Sequence, residues 1–339
     1  MKAVRFHEHG PVEVLRYEDA PDPEPLPGHA IVRVRACALN HLDLWERRGL
    51  PRVALPLPHI SGSDIAGDVV DGGGVVPAGT RVMLQPGLSC GRCPACLAGR
   101  DNRCPAYDVL GYRSPGGYAE YVRAPLANLV PIPDHIGYIE AAAFPLTFVT
   151  AWHMLVTLAQ VRPGETVLVL AAGSGVGQAA LQIARFLGAR VIATAGSDAK
   201  SARARALGAD AAINHATADL VAEVRRLTGG RGVDVVVEHV GRTTWDASVR
   251  VLASGGRLVT CGATTGHEAA IDLRHLFARQ LSLLGSYMGT KAELLEAAQL
   301  FFAGRLAPVI DRVFPLAEAA DAQRRLEARA QFGKIVLEV

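Results

Sequence analysis

The pattern of hydrophobic and polar positions changes near residue 148. Before it, short alternating or β-branched runs, such as residues 30–36 and 81–84, are separated by Pro and Gly, for example at 21–25. This pattern predicts a β-rich region. After it, short apolar runs alternate with helix-like stretches, which predicts a parallel sheet covered by helices on both faces.

Six short strands are predicted in the second region, and a Gly-rich turn follows the first of them. They cover residues 166–170, 191–194, 211–213, 233–237, 257–260 and 281–284. Six such strands are typical of a doubly wound dinucleotide-binding fold. Two helices (292–302 and 316–328) and a strand (334–339) complete the chain, and the terminal strand is expected to rejoin the first region. We therefore predict an α/β protein with one domain at 1–147 and 288–339 and another at 148–287.

Composition narrows the possible partners and location. The chain has 339 residues, of which 50% are hydrophobic and 20% charged, and its formal net charge is +2. This balance does not favour a nucleic-acid partner. The N-terminus alternates in polarity instead of forming a signal peptide, and the apolar runs are too short to span a membrane. We expect a cytoplasmic protein with a small-molecule substrate.

Four of the six cysteines lie within fifteen residues. Cys90, Cys93, Cys96 and Cys104 have the spacing C-x2-C-x2-C-x7-C, which predicts one structural zinc held by four thiolates in loop 90–104. Such a site is closed to water and substrate. An iron–sulfur cluster is the alternative, because Pro105 follows Cys104, but a ferredoxin run would place the fourth cysteine after three residues instead of seven.

A glycine-rich turn follows the first strand of the second region and opens a helix. Glycines let the backbone approach a pyrophosphate, and a helix N-terminus attracts negative charge. The turn therefore predicts a dinucleotide site, with cofactor-binding residues Gly173, Ser174, Gly175, Val176 and Gly177.

The end of the second strand bears on the choice between NAD and NADP. An acidic residue there would bind the ribose 2′-hydroxyl, but Ala195 occupies that position and the next carboxylate is Asp198. The hydroxyl of Ser197 and the cation of Lys200 suit a 2′-phosphate better. NADP is therefore preferred over NAD.

Several further motifs carry a resemblance to a family. They lie at residues 38–43, 62–67, 79–82, 116–120 and 332–334. Together with the cysteines and the glycine-rich turn, they make the chain similar to the medium-chain dehydrogenase/reductase superfamily over nearly its whole length. The resemblance implies a GroES-like β-rich catalytic domain, a Rossmann cofactor domain, and a homodimer or homotetramer.

Zinc alcohol dehydrogenases of this superfamily also carry a catalytic zinc, and its ligand positions are not matched. The resemblance places Asn40, Ser63 and Leu146 where a Cys, a His and usually a Cys would bind that metal. Leu42 stands at the position of the hydroxyl that relays the proton. Amides and hydroxyls are poor zinc ligands and leucine is none. This departure, with the segment 145–152, resembles the quinone oxidoreductase branch.

The resemblance also suggests roles for individual residues. His41 would meet the cofactor pyrophosphate, Thr150 would pack against the nicotinamide, His215 would lie by the adenosine, and Lys334 would reach the phosphates. Asn40 and Ser63 would hydrogen-bond a carbonyl oxygen as catalytic residues, and Asp43 would orient their loop.

The reaction expected from these residues is hydride transfer from NAD(P)H to a quinone, an enone or another carbonyl acceptor, without a catalytic zinc. Two alternatives stay open. One is an alcohol dehydrogenase with an unorthodox metal site, for which the candidate ligands are Cys37, His41, Asp43, His59 and Asp64. The other is a cofactor-binding protein without turnover. The sequence identifies neither the substrate nor a general acid.

Overall fold

The computed structural model describes residues 1–51 and 53–339. The described chain divides into two units, one formed by residues 1–146 and 290–339 and the other by residues 147–289.

The first unit begins with nine short strands and three helices. Its strands are β1 (Lys2–Arg5), β2 (Arg16–Asp19), β3 (His29–Ala38), β4 (Asp64–Asp71), β5 (Arg81–Leu84), β6 (Gly87–Leu88), β7 (Asp108–Val109), β8 (Tyr121–Pro125) and β9 (Leu129–Pro131). Its helices are α1 (His41–Arg48), α2 (Pro94–Leu97) and α3 (Tyr138–Ala143). Single 3-10 turns cover Val12–Val14, Asp101–Arg103 and Leu126–Asn128.

The middle of the chain alternates strands and helices. Helix α4 (Pro145–Trp152) continues as a π-helical segment, His153–Leu158. The strands that follow are β10 (Thr166–Val169), β11 (Arg190–Ala195), β12 (Ala211–Asn214), β13 (Val233–Glu238), β14 (Leu252–Thr260) and β15 (Ser282–Gly285). The helices are α5 (Gly175–Phe186), α6 (Asp198–Ala206), α7 (Leu220–Leu227), α8 (Trp245–Arg250) and α9 (Leu273–Ala278).

These six strands form one parallel sheet in the order β12-β11-β10-β13-β14-β15. All four residues of β10 are buried, as expected for a strand covered on both faces. The order reverses beside β10, and in such sheets a ligand binds where the order reverses, at the carboxyl ends of the strands. The predicted doubly wound fold is confirmed.

The last part of the chain returns to the first unit. It contains α10 (Lys291–Phe302), β16 (Ile310–Pro315), a 3-10 turn (Leu316–Glu318), α11 (Ala319–Glu327) and β17 (Lys334–Glu338). Strand β17 pairs with β3 in a seven-stranded sheet of order β16-β17-β3-β4-β5-β9, with β8 also paired to β3. In β3, Ala30, Val32 and Val34 are buried while Arg33 and Arg35 are exposed. That alternation gives the sheet one apolar face for the core.

The register of this sheet brings three distant parts of the chain together. Ala38 at the end of β3 pairs with Asp64 of β4 on one side and with Val336 of β17 on the other. Because β3 and β17 are antiparallel, the same register sets Asn40 opposite Lys334. No helix among the described residues is long and apolar enough to cross a membrane.

Candidate metal centre and cofactor site

The four clustered cysteines converge on one point. Their sulfur atoms all lie within 4.8 Å of one another. Sγ of Cys96 lies 3.5 Å from that of Cys93 and 4.0 Å from that of Cys90. Four thiolates about 2.3 Å from one zinc would be roughly 3.8 Å apart, so these distances fit a single tetrahedral ion. In a [4Fe–4S] cluster, the type bound by ferredoxin-like cysteine runs, each cysteine binds a different iron, which requires wider spacing.

The backbone around the cysteines favours the thiolate form. The N–H of Cys96 donates to Sγ of Cys93, and the N–H of Cys90 donates to Sγ of Cys104, each at 3.5 Å. Hydrogen bonds from the backbone of Arg92 and Cys93 lower the pKa of the Cys90 thiol to about 6. Soft donors, tetrahedral spacing and accessible thiolates fit a structural zinc, which these four residues would hold.

The glycine-rich turn connects β10 to α5. Ser174 is the N-cap of α5, and its Oγ accepts from the N–H of Gly177 at 2.9 Å. A Cβ on Gly177 would lie 2.3 Å from the carbonyl oxygen of Ala171, so a side chain does not fit there. Since the cap uses the third N–H of the helix, the N–H groups of Gly175 and Val176 are left for an anion.

The loop after β11 gathers the other predicted cofactor residues. Strand β11 ends at Ala195, and Oγ of Ser197 caps α6 by accepting from the N–H of Lys200 at 3.3 Å. A Cβ built on Gly196 would lie 3.4 Å from Nε2 of His215, which places that imidazole over the loop. The structure therefore brings the side chains of Ser197 and His215 and the backbone N–H of Lys200 to this loop.

A buried polar cluster lies where the register joins β3, β4 and β17. Nζ of Lys334 donates to the carbonyl oxygen of Leu39 (2.7 Å), to Oδ1 of Asn40 (2.7 Å) and to Oδ2 of Asp64 (2.8 Å). Nδ2 of Asn40 also donates to Oδ2 of Asp64, at 2.9 Å. The other oxygen of Asp64 accepts from the N–H of Leu146 at 2.8 Å. We call Asn40, Asp64 and Lys334 the lysine cluster.

Helix α1 adds two buried carboxyl groups beside this cluster. Oδ2 of Asp43 accepts from the N–H of Asn40 at 2.9 Å and from the hydroxyl of Tyr118 at 2.7 Å. Burial raises the pKa of Asp43 to about 6, and it raises the pKa of Glu46 well above its usual range. Nε2 of His59 lies 4.0 Å from Oε2 of Glu46 and hydrogen-bonds the carbonyl oxygen of Gly111 at 2.8 Å. Burial of Glu46 thus favours the protonated form of its carboxyl group.

Two family models match the chain in sequence order. The alcohol dehydrogenase GroES-like domain matches residues 26–134, and the zinc-binding dehydrogenase model matches residues 175–303. The chain is 33% identical to the NAD-dependent alcohol dehydrogenase of Sulfolobus acidocaldarius, with 100% of both chains covered.

The chain belongs to the zinc-type medium-chain dehydrogenase/reductase superfamily. It is also 30% identical to the quinone oxidoreductase of Pongo abelii, over 99% of this chain and 97% of that protein. A crystal structure of an NAD-dependent alcohol dehydrogenase superposes with a TM-score of 0.95 at 50% identity, with 100% of both chains covered. The chain is therefore an NAD(P)-dependent oxidoreductase with a GroES-like and a Rossmann domain.

The role predicted for Lys334 at the cofactor phosphates stays a prediction, and in this structure its side chain has other partners. The side chain is 2% exposed, and its three hydrogen bonds use every hydrogen of the ammonium group. No donor remains for a phosphate. A buried ammonium needs a buried counter-charge, and Asp64 supplies it.

The three residues predicted to be catalytic have different surroundings. Asn40 is 7% exposed, and one of its two amide hydrogens is used by Asp64. Ser63 is fully buried, and its Oγ has no hydrogen-bond partner among the described residues. Asp43 is also fully buried, so it acts on the first turn of α1 through its hydrogen bond to Asn40. Of the three, only Asn40 retains some exposure.

His41 and Thr150 are the remaining cofactor candidates. Burial, together with the charge of Arg329, lowers the pKa of His41 to about 4, so the imidazole is neutral at pH 7. A neutral ring would offer an N–H to a phosphate instead of a charge. Thr150 is buried in α4, and its Oγ1 has no hydrogen-bond partner among the described residues.

The unorthodox metal site is not assembled. Within residues 1–51 and 53–339, only the four cysteines bring three or more His, Cys, Asp or Glu ligand atoms into metal-binding distance. The candidates Cys37, His41, Asp43, His59 and Asp64 are not such a group, and their carboxylates accept hydrogen bonds from Asn40, Tyr118 and Lys334.

Sequence reasoning missed the pairing of Lys334 with Asp64 and the burial of Glu46. One signal was present for Asp64, because a carboxylate at the start of an apolar strand needs a buried partner. Its partner lies 270 residues away, and no local pattern identifies it.

Proposed function

We propose that this enzyme reduces a quinone or an enone with NADPH and uses no catalytic zinc. The observation that carries the proposal is the ammonium of Lys334, which donates to Oδ1 of Asn40 and Oδ2 of Asp64 at 2.7 and 2.8 Å. The resemblance places Asn40 at a ligand position of the catalytic zinc in relatives that carry it. Here the ammonium of Lys334 already occupies the side-chain oxygen of Asn40 and one oxygen of Asp64.

A divalent metal would compete poorly for these oxygens. It would have to displace an ammonium that has three buried acceptors, or else bind beside a like charge. The other two positions hold Ser63 and Leu146, and neither side chain is a strong zinc donor. These donors favour a reaction that needs hydrogen bonding at the substrate instead of a Lewis acid.

The proposed acceptors suit such a site. Oxidation of an alcohol requires loss of its hydroxyl proton, which a metal makes easier by lowering the pKa. Quinones and enones are already electrophilic, and a bound reduced nicotinamide supplies the hydride. On the protein side, the free N–H of Asn40 would donate to the acceptor oxygen while negative charge develops there. Water would then donate a proton to the anion that the hydride addition leaves.

NADPH is the cofactor we propose for the second unit. The N–H groups of Gly175 and Val176 would bind the pyrophosphate. Ser197, Lys200 and His215 would bind the 2′-phosphate at the loop that ends β11. Asp198 does not replace the missing acid, because its Oδ1 accepts from Nδ2 of Asn214 at 2.9 Å.

Alcohol oxidation is the second candidate function. It is favoured by the names of two similar proteins, the Sulfolobus acidocaldarius enzyme and the crystal structure at 50% identity, both described as NAD-dependent alcohol dehydrogenases. This candidate requires a second metal ion in each chain.

Metal content and acceptor choice separate these functions. We expect one zinc per purified chain, NADPH consumption with a benzoquinone or a cyclic enone, and no NADP⁺ reduction by primary or secondary alcohols. Two tightly bound metal ions together with alcohol oxidation would establish the second candidate instead. Cofactor binding without consumption by any acceptor would show a protein without turnover.

The choice of cofactor is tested at Lys200. Lys200→Ala removes a charge that we place at the 2′-phosphate, so we expect the KM for NADPH to rise about tenfold, or 1.4 kcal/mol. The KM for NADH is the internal control and should not change. Equal changes for both cofactors would contradict the assignment.

A further inference from the structure

The side-chain amide of Asn40 is held in one orientation by two neighbours of opposite character. Lys334 has only hydrogens to donate, and it donates to Oδ1 at 2.7 Å. The ionised carboxylate of Asp64 only accepts, and it accepts from Nδ2 at 2.9 Å. In a flipped amide, the NH2 group would face the ammonium of Lys334 and the oxygen would face the carboxylate of Asp64. Both contacts would then be repulsive, so both neighbours enforce the same orientation.

This orientation leaves one amide hydrogen of Asn40 without an acceptor among the described residues. The ammonium at Oδ1 also draws electron density from the nitrogen end of the amide, which strengthens the remaining N–H as a donor. Asp64 does not need that hydrogen, because it already accepts from Lys334, from the other amide hydrogen and from the N–H of Leu146.

We propose that Lys334 is a positioning residue for the reaction, acting through Asn40. It holds the amide so that one polarised N–H is directed to the oxygen of the acceptor. This inference rests on the proposed function. The β-carbon of an enone would gain a hydride with its electron pair, and NADPH would be oxidised to NADP⁺. The C=C π pair would then form a double bond between the α-carbon and the carbonyl carbon, and the C=O π pair would move onto oxygen to give an enolate. The Asn40 N–H stabilises that anion, and a proton from water then forms the C–H bond at the α-carbon.

The fold explains how a lysine reaches this position. Lys334 is the first residue of β17, and the antiparallel register with β3 sets it opposite Asn40. Strand β4 supplies Asp64 from the other side of β3. Strands β17 and β4 and the end of β3 thus hold Lys334, Asp64 and Asn40 on rigid backbone. A donor held in this way needs no reorganisation during the reaction.

The test removes the lysine without leaving a buried charge unpaired. The main variant is the double substitution Lys334→Met/Asp64→Asn, which removes both charges and keeps an amide that still hydrogen-bonds. Lys334→Arg is the conservative variant, and Lys291→Met, at another lysine of the same unit, is the matched control. Steady-state kinetics with a cyclic enone and a benzoquinone are combined with NADPH binding measured by fluorescence titration.

For the double variant, we expect kcat to fall about 100-fold, the value of one oriented donor to a developing anion. The Kd for NADPH should stay within about twofold, and Lys334→Arg should recover part of kcat. A tenfold or greater rise in the Kd for NADPH with unchanged kcat would place Lys334 at the cofactor phosphates and overturn the inference. Unchanged kcat and Kd would reduce the lysine to a purely structural role.

A second substitution tests whether the lysine acts through Asn40. Adding Asn40→Leu to the double variant should lower kcat little further, because the donor that Lys334 orients is then already impaired. Fully additive losses would show that Lys334 acts independently of Asn40 and would contradict the inference. A wild-type enzyme that reduces neither acceptor would overturn the proposed function itself, so the two failures are distinguishable.

Discussion

The first unit contains two sites where side-chain acceptor atoms surround a cation position: the four-cysteine cluster and the lysine cluster. The two sites differ in the type of donor atom and in burial. The cysteine cluster uses four soft sulfurs on a partly exposed loop, with Cys90 exposed and only Cys104 buried. The lysine cluster uses hard oxygens at the centre of a sheet, with Asp64 fully buried and Lys334 2% exposed.

The difference shows how each site obtains its positive charge. Thiolates bind a borderline-soft ion such as zinc strongly. In the cysteine loop, a bound zinc would therefore supply the positive charge that balances the four thiolates and would link them to one another. The oxygens of Asn40 and Asp64 lie between paired strands, and an ammonium carried by the neighbouring strand reaches them directly. Ligand chemistry decides the first site, and strand register decides the second.

Loss of one zinc ligand should produce the largest effect. Cys104→Ser removes the buried ligand, and structural zinc sites in small peptides contribute about 10–16 kcal/mol of binding free energy. We expect zinc content to fall from one per chain to nearly none, and residues 90–104 to become sensitive to limited proteolysis. Elemental analysis and proteolysis measure both effects.

Cys261→Ser is the control for that substitution, since Cys261 lies outside the cluster. The Cys261→Ser variant should retain one zinc per chain. Retention of a full zinc by Cys104→Ser would mean that the loop does not depend on all four thiolates, and the contrast with the lysine cluster would then be weaker.

The lysine cluster should respond to loss of its counter-ion. Asp64→Asn leaves the Lys334 ammonium buried without an opposite charge at hydrogen-bond distance, so we expect unfolding to become easier by about 3–5 kcal/mol. Adding Lys334→Met should restore much of this loss, because no buried charge is then unpaired. Urea unfolding of the two single variants and the double variant gives the coupling energy. Additive destabilisation would refute a direct pair.

A smaller effect is expected at Glu46, a buried carboxyl group on α1. Because burial raises its pKa well above 4.5, the folded protein keeps a proton that the unfolded chain releases. The contribution of Glu46 to the stability of the wild type therefore declines as pH rises above about 4.5. Glu46→Gln imitates the protonated acid, so its Tm should exceed that of the wild type by at least about 2 °C at pH 8 and by less at pH 5.

Thermal unfolding at both pH values measures this difference. Glu223→Gln is the control, at a half-buried glutamate on α7 whose pKa is lowered by its hydrogen bond with Arg226, and it should show no such pH-dependent gain. A gain of equal size at pH 5 and pH 8 would indicate improved packing instead of a changed protonation state.

Local patterns in the sequence determined most of the fold and one complete site. The alternation of apolar runs with helical stretches predicted the six parallel strands, because burial on both faces leaves a recognisable signature. The glycine-rich turn was predicted before a helix, and the structure places it before α5. The glycine at 177 is required there because a side chain has no room. The four cysteines predicted a metal centre because their spacing along one short loop already limits how far apart the sulfurs can lie.

The lysine cluster was decided by tertiary structure alone. Nothing in the local sequence distinguishes the three residues of this cluster, Asn40, Asp64 and Lys334, from ordinary polar residues. The prediction that Lys334 contacts phosphate came from the family resemblance and not from any pattern that pairs it with Asp64. Pairing of β17 with β3 and of β3 with β4 brings them together and buries them. Burial then requires each charge and amide to find its partner within the cluster, which a sequence read segment by segment does not specify.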